Sequence, residues 1–136
     1  MEETEFSYKP SFDYQTINTD DVLFRFGHQI YFNKHDSSLS ITMTSEITPH
    51  ENNTVLAKET ICCVFQVSPF DKVFQIEEGR ISTTEPLLID TFINITIGAL
   101  RGIFIKNLKG TPLCRSIIPL IPMDLIRQNS VFQKTE

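Results

Sequence analysis

The side chains able to do chemistry are few and scattered. His28, His35 and His50 are the three histidines, and none is spaced with a carboxylate or cysteine as a metal site or catalytic pair requires. Cys62 and Cys63 are adjacent, and Cys114 stands alone. An odd count without metal spacing reads as reduced, buried thiols. The acidic pairs Asp20–Asp21 and Glu77–Glu78 fall in expected turns. Neighbours on an extended chain point to opposite faces, so neither pair is a natural acid–base couple, and both read as solvated charge. Phosphate-binding, nucleophile-elbow, zinc-protease and dinucleotide motifs are all missing from the sequence. The residues therefore point away from an enzyme, from a metal and from any cofactor. Residues assembled only by folding remain the one route to catalysis.

The balance of charge narrows the partners. A net charge of -5 argues against nucleic acid, which needs a basic face. The opening MEETEFSYKP is acidic and lacks the apolar run of a signal peptide, so a cytoplasmic location is expected. The most apolar segment, from Leu87 to Ile105, contains Asp90, Asn94 and Arg101. Charges at the centre of a bilayer are costly, so no membrane insertion is expected.

What stands out is apolar surface, and its placement depends on the elements that carry it. Phe6, Tyr8, Phe12 and Tyr14 alternate in a way that suits an edge strand interrupted by Pro10. In VLFRF, Val22, Phe24 and Phe26 share one face, and Gly27 marks a bulge or bend before QIYF. LSITMTSEIT alternates cleanly, with Leu39, Ile41, Met43 and Ile47 on one face and Ser40, Thr42, Thr44, Glu46 and Thr48 on the other. A long strand follows over 55–67, whose end ICCVFQV is apolar on both faces and should be covered on both. KVFQIE is a further strand, and EEGRISTTE reads as a connection. Short connections of this kind favour antiparallel pairing.

From Pro86 the pattern changes to about 24 residues without proline, ended by Gly110 and Pro112. The length favours a helix, in which Asp90, Asn94 and Arg101 gather on one narrow face. The apolar arc is then about 200° wide, roughly twice what a surface helix buries on one sheet. A second subunit is expected to cover the remainder, through Phe92, Ile95, Ala99 and Gly102, with Gly98 and Gly102 allowing close approach. Beyond Gly110, TPLCRSIIPLIP has too many prolines for a helix and reads as an extended loop presenting Leu113, Ile117, Ile118, Leu120 and Ile121. Pro122 can open a short final helix over MDLIRQNSVF, and QKTE reads as a frayed tail. The expectation is one α+β domain over 1–136, with loose ends over 1–5 and 130–136.

The order of these parts over about 64–126 resembles the SecB family of export chaperones. The matching motifs are VFQVSPFDKVFQI with Phe74 and Ile76, the helix opened at Pro86 with Gly98 and Arg101, the turn KGTP, the stretch IIPLIP, and MDLI. The resemblance implies an α+β fold: a four-stranded antiparallel sheet with a long helix and a short C-terminal helix on one side. It implies a homotetramer, a dimer of dimers, that holds unfolded precursor proteins without ATP and passes them to the SecA motor. It places Val22, Phe24, Phe26, Ile118, Leu120, Leu125 and Ile126 along a client-binding groove. It places Phe65 and Val67 between dimers, and Val64 and Gln66 on the motor-docking face. The family's docking position is commonly acidic, whereas here it is Gln66, and Phe70–Asp71 replaces a glycine pair. A SecB-like protein of a toxin–antitoxin system, without SecA docking, is therefore the second expectation. An oligomeric scaffold or small-ligand binder, and a hotdog-type enzyme, are the rivals from other classes. The hotdog order usually puts its long helix early, which this chain does not.

Overall fold

The computed structural model describes residues 1–19, 21–77, 80–120 and 132–135. The fold is α+β. β1 (Glu2–Tyr8), β2 (Leu23–Asn33), β3 (Ser38–Thr48) and β4 (Ala57–Gln66) form a four-stranded antiparallel sheet in the order β1-β4-β3-β2. A four-residue helix α1 (Phe70–Val73) leads into the hairpin of β5 (Phe74–Glu77) and β6 (Arg80–Thr83), and the long helix α2 (Pro86–Asn107) follows.

Period-two alternation decides which face of the sheet is covered. Phe24, Phe26, His28, Ile30 and Phe32 of β2 lie in register with Ile47, Ser45, Met43, Ile41 and Leu39 of β3, and these face α2. Ala57, Glu59, Ile61, Cys63 and Phe65 continue the same face across β4. The pairing of β2 with β3 runs without a break from Leu23↔Thr48 to Asn33↔Ser38, so the bulge expected at Gly27 does not occur. Gly27 instead leaves a gap in the opposite face. The other face carries Gln29, Ser40, Thr42, Thr44, Cys62, Val64 and Gln66, and no described element lies on it. The expectation that ICCVFQV is covered on both faces thus holds on one side only.

α2 lies across β3 and β4. Pro86 opens it at the first helical position, and Gly110, at φ +82°, follows its end in the left-handed conformation that glycine adopts without a Cβ penalty. Ile89, Ile93, Ile97, Leu100 and Phe104 are buried with Thr96, a stripe about 100° wide. The isoleucines that favour strand on propensity are held helical by that stripe. Thr96 is satisfied inside the helix, its hydroxyl donating to Phe92 O at 2.8 Å. At the far end, Phe32, Phe70 and Phe74 pack as a ring cluster, with centroids 5.0 Å apart for Phe32–Phe74 and 5.3 Å for Phe70–Phe74.

Several connections differ from the expectation. Phe12 and Tyr14 leave the strand, because Pro10 ends it and a single 3-10 turn covers Tyr14–Thr16. Both rings still pack, Tyr14 stacking on Tyr8 at 5.8 Å and meeting Phe12 edge-on at 5.3 Å. The segment read as a connection after Glu77 contains β6, whose Ile81 pairs with Ile76. The final helix expected over 123–132 falls outside the described residues as far as 131. The tail read as frayed pairs instead: β7 (Phe132–Thr135) lies parallel to β2, whose outer edge still had unpaired backbone groups.

Candidate binding surface

Two features of the chain outside the sheet create exposed apolar surface. The first is the segment after α2. Turn hydrogen bonds at Thr111, Cys114 and Ser116 coil it, and Leu113 is buried beneath. Arg101, which the sequence places on one narrow helix face with Asp90 and Asn94, turns to this segment. Its Nε donates to Ile118 O at 2.9 Å and a terminal nitrogen donates to Pro119 O at 3.3 Å. Ser116 Oγ donates to Thr19 O at 2.9 Å, fastening the segment to the chain that leads into β2. These bonds hold the backbone while its side chains divide between core and solvent. Ile118 is buried, whereas Ile117 is 52% and Leu120 is 90% exposed.

The second is the outer face of α2. Leu87 is 72% and Ile95 is 51% exposed, and Thr91, Gly98 and Gly102 complete that face. A Cβ added at Gly98 or Gly102 would meet nothing within 4 Å, so the fold of the single chain makes no use of either glycine. Phe92 and Ala99 flank the face half-buried.

The residues assigned from sequence divide accordingly. Val22, Phe24 and Phe26 are half-buried and pack on the core, and Ile118 belongs to the core itself, so among the described residues of the expected groove only Leu120 stands free. Leu125 and Ile126 lie outside the described residues. Phe65 and Val67 are turned inward, not toward a second dimer: Phe65 stacks on Phe92 at 4.3 Å, and Val67 is buried. Alternation along β4 puts both on the helix side. Val64 and Gln66 lie on the open face, Val64 being 61% exposed.

The open face carries mixed charge. Glu5 and Lys58 pair at 3.6 Å, and Arg25 donates to Asn53 Oδ1 at 2.6 Å. Two shallow depressions flank Gly27, about 290 Å³ beside Arg25, Thr44 and Glu46 and about 350 Å³ beside Gln29 and Thr42. They are the gap left by a missing side chain in a polar face. No group of three or more His, Cys, Asp or Glu arranged to hold a metal occurs among the described residues. His50 pairs with Asp21 at 2.9 Å on the surface, and burial lowers the pKa of His28.

Sequence reasoning missed one polar site. Glu59 is fully buried, in phase with Ala57, Ile61 and Cys63 on the helix side of β4. The signal was available: the alternation that marks those three as inward marks Glu59 too. The amide of Asn107, at the end of α2, donates to Glu59 Oε1 at 2.7 Å and to Glu3 Oε2 of β1 at 2.6 Å. Glu59 Oε2 has no hydrogen-bond partner among the described residues. Burial, followed by the neighbouring Glu3 carboxyl and its charge, pushes the Glu59 carboxyl up from 4.5 to about 8, against the lowering effect of Asn107 and of the Thr60 backbone.

By length and composition α2 is apolar enough to cross a membrane, although here one stripe of it is buried on the sheet. No protein-family model matches the chain, and neither does any curated protein or solved structure.

Proposed function

We propose that this protein is a SecB-like holdase of the cytoplasm, which binds unfolded precursor proteins without nucleotide and keeps them competent for Sec-dependent export. The observation that carries the reading is the anchored apolar segment after α2. Arg101 and Ser116 hold its backbone while Ile117 and Leu120 project to solvent. A fixed backbone presenting free apolar side chains loses little entropy on binding and tolerates many partner sequences. The outer face of α2 supports assembly into a homo-oligomer, a dimer of dimers in this reading, in which several such segments act on one client by avidity.

A second setting has its own support. The open face offers Val64, Gln66, Arg25 and a Glu5–Lys58 pair where docking of a basic, metal-bearing motor tail calls for acidic surface. That favours a SecB-like binding protein without SecA docking, as in toxin–antitoxin control.

The test combines Ile117→Asp with Leu120→Asp and measures suppression of aggregation of a permanently unfolded protein without ATP. The parent should suppress aggregation, and the double variant should lose at least about tenfold in client affinity with unchanged far-UV circular dichroism. A parent without client affinity, or a variant that holds clients as well as the parent, rejects the reading. Pull-down with SecA then separates the two settings.

A further inference from the structure

The junction of Glu59, Glu3 and Asn107 joins three elements: β4, the edge strand β1, and the last residue of α2. Both amide hydrogens of Asn107 are committed, one to each carboxyl. Among the described residues no countercharge pairs with Glu59. β3 faces Glu59 with Ser45, its register partner, whose Oγ is itself buried without a partner among the described residues. β1 faces it with Glu3 and with Phe6, and Phe6 meets Phe104 of α2 edge-on at 6.4 Å. Next to Glu59 in sequence, Lys58 points to the opposite face and pairs with Glu5. Lys106 and Lys109 are exposed, and neither forms an ion pair among the described residues.

Two carboxylates, the buried one of Glu59 and the exposed one of Glu3, share one amide. With one proton between the carboxyls, Glu59 can donate toward Glu3 and the pair carries a single negative charge. Without it, two negative charges adjoin, and a fully buried oxygen has no donor. The backbone offers β1 limited help, because the register slips between Glu3 and Glu5 and leaves the N-terminal end beyond a bulge. Besides the ladder, Thr4 adds one bond, its hydroxyl donating to Thr60 O at 3.2 Å.

We propose that the Glu3–Glu59–Asn107 junction is a proton-operated latch that keeps β1 docked on β4 and lets it detach when the shared proton leaves. Release uncovers the edge of β4 and the ring of Phe104, so the latch controls how much apolar surface and open strand edge the protein presents. The latch stands independently of the chaperone reading.

The sign follows from linkage. A carboxyl raised from 4.5 to about 8 by folding binds its proton more tightly in the docked state, so its contribution is full below pH 4.5 and is lost as pH rises through about 8. Amide hydrogen exchange from pH 6.5 to 9, corrected for intrinsic rates, reads this directly. Protection of β1 amides and of their partners in β4 should fall by up to about tenfold per pH unit, while Ile41 and Met43 in β3 keep theirs. Glu59→Gln should flatten that dependence, and a variant that folds and keeps the parent's fall overturns the latch. If Glu59→Gln does not fold, Glu3→Gln serves: the new amide donates to an ionised Glu59 and moves the midpoint down by at least about one unit. An unmoved midpoint, or a Glu59 carboxyl that titrates at its ordinary value by carbon-13 NMR, overturns it equally.

Discussion

Leu100 and Ile95 lie five positions apart on α2 and meet opposite surroundings. Leu100 is fully buried against the sheet, whereas Ile95 faces solvent. Truncating a buried leucine removes its transfer energy and leaves a cavity, so Leu100→Ala should cost about 2–5 kcal/mol by urea unfolding. Ile95 is half exposed and outside the core, and alanine gains helix propensity, so Ile95→Ala should change protomer stability by no more than about 0.5 kcal/mol. Arg101 is the residue whose role composition hid. On a helical wheel it joins Asp90 and Asn94, but its guanidinium donates to two carbonyls seventeen and eighteen residues ahead. Only the path of the segment after the helix reveals that. Arg101→Ala should cost about 1 kcal/mol, allowing for partial exposure, and should speed proteolytic cleavage within 111–120. An unchanged cleavage rate would mean that Leu113 and Ile118 hold the segment unaided.

At the level of elements, the strands were the most legible part. LSITMTSEIT alternates as read, with Leu39, Ile41, Met43 and Ile47 buried and Ser40, Thr42, Thr44 and Glu46 more exposed, but Thr48, placed in the outward set, is fully buried. The helix was legible from its length, Pro86 and Gly110, although its isoleucines favour strand. β6 escaped because four residues give too short a pattern, and β7 because parallel pairing to β2 is a tertiary contact with no local signal. Phe65 and Val67 followed a resemblance outward, when counting by twos from Ile61 turns them inward. The two helix glycines remain unexplained by the single chain, and they make a sharp test. In open space, Gly98→Ala and Gly102→Ala should each stabilise the isolated protomer by about 0.5–1 kcal/mol, since alanine is the better helix former. If the outer face of α2 packs closely on another helix, the same methyl groups should weaken assembly. Opposite signs in unfolding and in oligomer mass would locate the contact. Stabilisation in both would place the contact elsewhere.

For the whole molecule, the balance between buried and free apolar surface predicts a dependence on concentration. The core is complete in one chain: Phe32, Phe74, Phe104 and the central isoleucines are fully covered without help. Among the described residues, the exposed apolar side chains include Leu87 and Ile95 on the outer α2 face, Ile117 and Leu120 at the tip, and Val64 on the open face. A chain that folds alone but exposes such patches gains stability from association, because association removes only folded protomers from the unfolding equilibrium. The apparent unfolding midpoint should therefore rise with protomer concentration, on the order of 1 kcal/mol per tenfold for a dimer. Ile95→Asp places a charge at the centre of the outer helix face without touching the core, so it should yield monomers by light scattering, unchanged far-UV circular dichroism and a midpoint independent of concentration. Leu120→Asp should leave that dependence intact while weakening client binding, because the tip and the helix face do separate work. If Leu120→Asp also abolishes assembly, the tip is itself an intersubunit contact, and free apolar side chains there no longer support client binding.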